Sequence, residues 1–182
     1  VTSLETNKAH FPADMVLMAI GVIPNVEIAR EAGVELGKTG AIRADTAQKT
    51  NLADIHVARD CCEVFNLVSQ DWVHTPLGDI ANKQGRVAGE NAAGGRAAFL
   101  GVVGSAAFKV LDLEVAVTGL GTQAAQRYGF DVNSQVIEAE SKVGYMPGAK
   151  RIVVKLIFDR KNGRLLGAQM VGKEGVARRI NS

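Results

Sequence analysis

Residues 151–171 leave the chain little choice of local structure. Residues 151–158 read as an alternating strand that sets Ile152, Val154, Leu156 and Phe158 on one face. DRKNG supplies a turn, and residues 164–171 return as the partner strand of a hairpin. An antiparallel sheet is therefore written into this half. The other half opens differently. MVLMAI, at residues 15–20, is an unbroken apolar run ending at Gly21 and too short for a helix. It reads as a parallel strand covered on both faces. The chain is thus α/β first and α+β second, with a boundary expected near residues 101–105.

Between these anchors the signals are shorter. Pro24 stops the apolar run, and Asn25 can cap a short helix over VEIAREA that ends at Gly33. Extended stretches are expected at residues 41–44 and 54–58. TPLG, at residues 75–78, turns into a helix over residues 79–93, where Ile80, Ala81, Gln84, Val87, Ala88 and Asn91 recur at helical spacing before Gly94-Gly95. Its small inner face suits close packing on a sheet or a ligand. Residues 108–117 and 131–137 read as strands, with a helix over 122–128 stopped by Gly129. KEGVARRINS opens a further helix at the end of the chain.

Of the 182 residues 47% are hydrophobic, enough for one good core or two small ones. A net charge of +2 with scattered basic residues gives no reason to expect nucleic acid or an anionic membrane as partner. No apolar run approaches the roughly 20 residues that cross a bilayer. The two cysteines, Cys61 and Cys62, are adjacent and form neither a disulfide framework nor a zinc set. His10, His56 and His74 are too dispersed for a metal. Without a signal-peptide pattern, a reducing, cytoplasmic compartment is the expectation. The missing initiator Met suggests that residue 1 is not a natural start.

Three motifs could bear chemistry. AIGVIPN, at residues 19–25, is a strand end from which a chain can leave a sheet, or simply an ordinary terminus. DIHVARDCCE, at residues 54–63, presents Asp60 at the carboxyl end of a short strand. There a carboxylate can accept hydrogen bonds from sugar-like hydroxyls or merely cap the next turn. TPLGDIANKQGRVAGENAAG, at residues 75–94, offers a helix N-terminus able to stabilise an anion, or a plain packed helix.

In this order and at these intervals, the motifs resemble the FAD-dependent pyridine nucleotide–disulfide oxidoreductases, in the group of coenzyme A-disulfide reductases, NADH oxidases and NADH peroxidases. The resemblance continues through FKVLDLEVAVTGL, GYMPGAK and GRLLGAQMVGKEGVARRI. It implies part of a fold with two dinucleotide-binding domains, followed by the start of an antiparallel-sheet dimerisation domain. Residues 1–24 would end the NAD(P)H-binding domain, residues 25–104 form the C-terminal half of the FAD domain, and residues 105–182 begin the interface domain of a homodimer. Asp60 matches the aspartate that holds the FAD ribityl chain. Pro76, Leu77 and Gly78 match the turn against the flavin ring. Asn82 and Lys83 fall where some members contact a disulfide or coenzyme A substrate, and Tyr145 lies in a segment that reaches the partner's substrate site.

The implied activity passes electrons from NAD(P)H through FAD to a small-molecule disulfide such as coenzyme A disulfide. An oxidase, a peroxidase or a non-catalytic dimerisation module are the alternatives. The redox cysteine and the Gly-rich diphosphate loops of the family are expected upstream, so no catalytic residue is assigned. Two positions depart from the pattern. Arg59 stands where the family has Gly, which predicts an unfavourable backbone angle. Met146 replaces the second Tyr of GYYPGAK. Cys61-Cys62 lacks the spacing of a dithiol centre.

Overall fold

The computed structural model describes residues 1–180. Near its start β1 (Ser3–Glu5) pairs antiparallel with β2 (His10–Pro12). Thr6 closes the turn, its hydroxyl donating to the Ala9 carbonyl at 2.8 Å and accepting the Ala9 N–H at 3.0 Å. The run at residues 15–20 is not a strand. It has no ladder, and Met15, Leu17, Met18 and Ile20 are all at least 75% exposed. A parallel strand needs a neighbour on its hydrogen-bonding edge and cover on its faces, and the described residues bring neither to it.

Helix α1 (Glu27–Glu31) forms over the expected stretch, but Val26 rather than Asn25 occupies its cap position, and no side chain caps it. Val26 and Val34, flanking the helix, pack with Ile42, Ala44, Val57 and Cys62 into a first small core. Residues 41–44 and 54–58 contribute only isolated bridges, Ile42 to Leu36 and Cys62 and His56 to Lys49. Two strands unannounced by the sequence follow: β3 (Val64–Asn66) and β4 (Asp71–Val73), an antiparallel pair with Phe65 edge-on to Trp72 at 5.6 Å. Asn66 accepts the Val68 and Ser69 N–H groups on its side-chain oxygen, which shapes the turn between them.

Helix α2 (Gly78–Ala92) buries Ile80, Ala81, Gln84 and Asn91, four members of the predicted stripe. Asn91 fastens its C-terminal end: its amide nitrogen donates to the Ala47 and Ala97 carbonyls, and its oxygen accepts the Ala97 N–H. The chain then runs back along β3, where Val102 exchanges hydrogen bonds with Phe65 and Leu67.

Beyond it lies a five-stranded antiparallel sheet in the order β5-β6-β9-β8-β7. Its strands are β5 (Ala106–Val110), β6 (Leu113–Gly119), β7 (Val132–Glu140), β8 (Arg151–Asp159) and β9 (Leu165–Gly172). Helix α3 (Thr122–Arg127) joins β6 to β7, and α4 (Val176–Arg179) follows β9. Asn181 and Ser182 of the stretch expected to open a helix lie outside the described residues. The strand expected over residues 108–117 is two strands. Leu111, at φ +53°, and Asp112 turn the chain between them.

Each face of the sheet has its own core. Ile152 and Val154 pack with Ala116, Ala168, Val176 and Ile180 on one side. Ile157 and Leu166 pack with Leu120, Ala125 and Val68 on the other. Ile157 is fully buried because it lies on the face opposite Ile152 and Val154, under the second core, and the register with β9 shifts only after it, between Ile157 and Phe158. Burial of a side chain the size of Ile152, Ile157 or Leu166 contributes about 1.5–3 kcal/mol. Val68 comes from the β3–β4 turn, so that turn docks on the sheet. Arg164 holds it there, donating to the Val68 carbonyl at 3.2 Å from beneath the Phe130 ring. Among the described residues no helix is long and apolar enough to cross a membrane.

Candidate functional site

The three chemistry-bearing motifs, far apart in sequence, meet at one cavity of about 400 Å³. Val22, Ile23, Pro24 and Asn25 form one wall, Asp60 and Cys61 a second, and Pro76 a third. Asp60 lies in a single 3-10 turn, Arg59–Cys61, that ends the strand-like stretch before it. Pro76 precedes Leu77, whose extended backbone (φ −125°, ψ 137°) delivers the chain into α2. No side chain caps that helix. Its first-turn N–H groups therefore remain donors at the positive end of a helix 15 residues long.

Two contacts orient the Asp60 turn, one at the surface and one from below. His74 Nε2–H donates to the Asp60 carbonyl at 2.6 Å, which fixes the ring tautomer and ties β4's exit to the turn. From beneath, Gln84 of α2, only 1% exposed, accepts the Arg59 N–H at 3.2 Å and the Cys62 thiol at 3.5 Å. Gln84 belonged to the predicted helix stripe, but its role here was missed. The available signal was a long polar residue on a buried apolar face, which must find buried partners.

Arg59 takes φ +79°, the left-handed angle expected of a residue in glycine's place. Its side chain is exposed and does not line the cavity. Burial pushes the Cys61 thiol up, and burial followed by the neighbouring Cys61 pushes Cys62 up to about 12. Both are thus held protonated at neutral pH, the opposite of an activated nucleophile.

The remaining predicted residues lie elsewhere. Asn82 and Lys83 are exposed on α2, and Lys83 is 3.8 Å from Asp79 one turn earlier. Lys83 lines a separate cleft of about 490 Å³ between α2 and residues 101–105. Tyr145, 83% exposed, sits between β7 and β8, and within one chain nothing brings it to Asp60. A larger cavity of about 610 Å³ beside α4 contains none of the residues the sequence singled out. Among the described residues no three His, Cys, Asp or Glu side chains converge as metal ligands would.

Comparison with known proteins gives this geometry a setting. Residues 1–85 match the family model described as pyridine nucleotide-disulphide oxidoreductase, and residues 105–182 match the dimerisation domain of that family. The NAD(P)H sulfur oxidoreductase (CoA-dependent) of Pyrococcus furiosus is 38% identical over 182 residues, all of this chain and 41% of that protein. An NADH oxidase of Methanocaldococcus jannaschii is also 38% identical, over 94% of this chain and 38% of its own length. Among solved structures, an NAD-dependent persulfide reductase from A. fulgidus superposes with a TM-score of 0.92 at 42% identity, covering 96% of this chain and 33% of that one. The chain therefore spans well under half the length of the relatives it matches.

Proposed function

The chain belongs to the pyridine nucleotide–disulphide oxidoreductase family, and on that premise we propose that it contributes the ring-facing half of an FAD site and a dimerisation sheet. The whole protein, in this reading, passes electrons from NAD(P)H via FAD to a disulfide such as coenzyme A disulfide or a related persulfide. Residues 1–24 end the NAD(P)H-binding domain, residues 25–104 belong to the FAD domain, and residues 105–182 make the interface of a homodimer.

The observation that supports it best is the convergence of Pro24, Asp60 and Pro76 on one cavity beside the uncapped start of α2. Those residues suit a flavin. The Asp60 carboxylate, exposed at the cavity, is an acceptor for ribityl hydroxyls. Leu77 and Gly78 bring the α2 N–H groups forward, where they would stabilise negative charge on the ring. Pro24 and Pro76 offer apolar surface and donate no N–H of their own to compete. Arg59 leaves the cavity open because its backbone keeps the glycine-like turn. When bound, FAD supplies the two-electron carrier between NAD(P)H and the acceptor. Asn82, Lys83 and a partner's Tyr145 remain candidates for substrate contact in the assembled dimer.

Reduction of oxygen or peroxide is the second reading. It is favoured by the M. jannaschii NADH oxidase, which is as similar to this chain as the CoA-dependent sulfur oxidoreductase. Titrating the chain with FAD and following flavin fluorescence tests the site. Saturable quenching is expected, with Asp60→Ala weakening affinity about tenfold or more, as loss of a charge-assisted hydrogen bond implies. A chain that stays colourless and quenches nothing overturns FAD binding by this chain and leaves it a dimerisation module.

A further inference from the structure

We infer that Gln84 is a positioning residue that holds Arg59 in its left-handed conformation and thereby sets the direction of Asp60. For its effect on cofactor binding this rests on the flavin reading above; the clamp itself does not. A side chain larger than glycine resists φ values near +79°, so something must hold Arg59 there. The restraint is a buried amide. Gln84 Oε1 accepts the Arg59 N–H at 3.2 Å and the Cys62 thiol at 3.5 Å, so one oxygen grips both ends of the 3-10 turn. The Cys62 thiol is also 3.3 Å from the Arg59 carbonyl, which closes a ring through the turn. Rotating the amide by half a turn would set an NH2 group against the Arg59 N–H, so the network admits one orientation. With Gln84 only 1% exposed, water cannot replace it.

Arg59 precedes Asp60 directly, and a relaxation of Arg59 to negative φ would swing the carboxylate away from the Pro24–Pro76 cavity. Glycine needs no such restraint, because it reaches positive φ at no steric cost. The dependence on Gln84 is therefore a property of having arginine at this position.

The test is a double-mutant cycle on the full chain with Gln84→Met, which keeps length and removes the acceptor, and Arg59→Gly. Without flavin, Gln84→Met is expected to lower the thermal midpoint by about 3 °C more in the Arg59 background than in the Arg59→Gly background. With FAD, the same change is expected to weaken binding about tenfold in the first background and no more than about twofold in the second. Equal losses in both backgrounds overturn the inference, since Gln84 would then be core filling alone. If Gln84→Met fails to fold, amide exchange in the unaltered chain decides. The Arg59 N–H should be protected like the amides within α2, and exchange as fast as at exposed Leu17 overturns the clamp. If none of the four chains takes up FAD, flavin binding by this chain falls while the thermal cycle still judges the clamp.

Discussion

The Cys62 thiol is 3% exposed, beneath α2, and its single proton has the Gln84 and Arg59 oxygens as alternative acceptors. Ionising it there would bury a charge among Val26, Ile42 and Val57, so its pKa rises to about 12. In the unfolded chain the same thiol titrates near 8.5. The folded value is thus raised: the stability this group confers is fully present below the unfolded pKa and falls as pH climbs toward the folded one. Stability should therefore begin to decline between about pH 8.5 and 10, before the lysines titrate. Cys62→Ala should flatten that part of the profile, as denaturant unfolding at several pH values would show. Cys61, half-buried with its thiol raised in the same direction, stands at the cavity wall. Iodoacetamide at pH 7.5 should alkylate Cys61 slowly and Cys62 more slowly still, measured by mass spectrometry of timed digests. Rapid labelling of Cys62 would mean that the turn opens readily and that the buried network is not closed.

At the scale of elements, the join between the first half and the sheet depends on one close approach. Gly101 has φ +128°, and a Cβ there would stand 2.3 Å from the Phe65 carbonyl oxygen, a backbone atom that cannot swing aside. That approach lets Val102 pair with Phe65 and Leu67 and so bind the connector to β3. Gly101→Ala should cost at least about 2–3 kcal/mol, combining left-handed strain with loss of ladder bonds. A fall of about 5 °C or more in thermal midpoint is the expected reading, and no change would show that the connector is not held to β3. The sequence suggests a boundary near residues 101–105 from a change in composition, but this contact was not legible, because it depends on a strand, β3, whose three residues give no usable period. Length explains much of the rest. The β8–β9 hairpin and α2 were readable because eight or more residues repeat one pattern. The β5–β6 turn was not, because Leu111-Asp112 bears no turn signature and a leucine at positive φ contradicts one.

For the whole molecule, the sequence offers three candidate motifs but not the place where they meet. Sequence order placed Pro24, Asp60 and Pro76 in one lineage, while only the fold shows them around one cavity and sets Lys83 and Tyr145 apart from it. The sharpest divergence concerns residues 15–20. Their composition demands a covered strand, and the described chain leaves them bare, with Leu17 87% and Met18 75% exposed. Composition records the environment a segment is suited to, whereas exposure records the one it has, and a parallel strand takes its neighbours from elsewhere in a sheet. The two accounts predict different outcomes for one experiment. If these side chains are bare, Leu17→Ser and Met18→Ser together should leave the thermal midpoint of this chain within about 1 °C, since surface changes away from any packing move stability by no more than about 0.5 kcal/mol. They should also reduce binding of a hydrophobic dye, because a contiguous apolar stretch is removed from the surface. If instead the run is packed as its sequence suggests, the same pair should cost about 2 kcal/mol or more per side chain and lower the midpoint by many degrees. A large fall would overturn the exposed placement, and a flat response would support it.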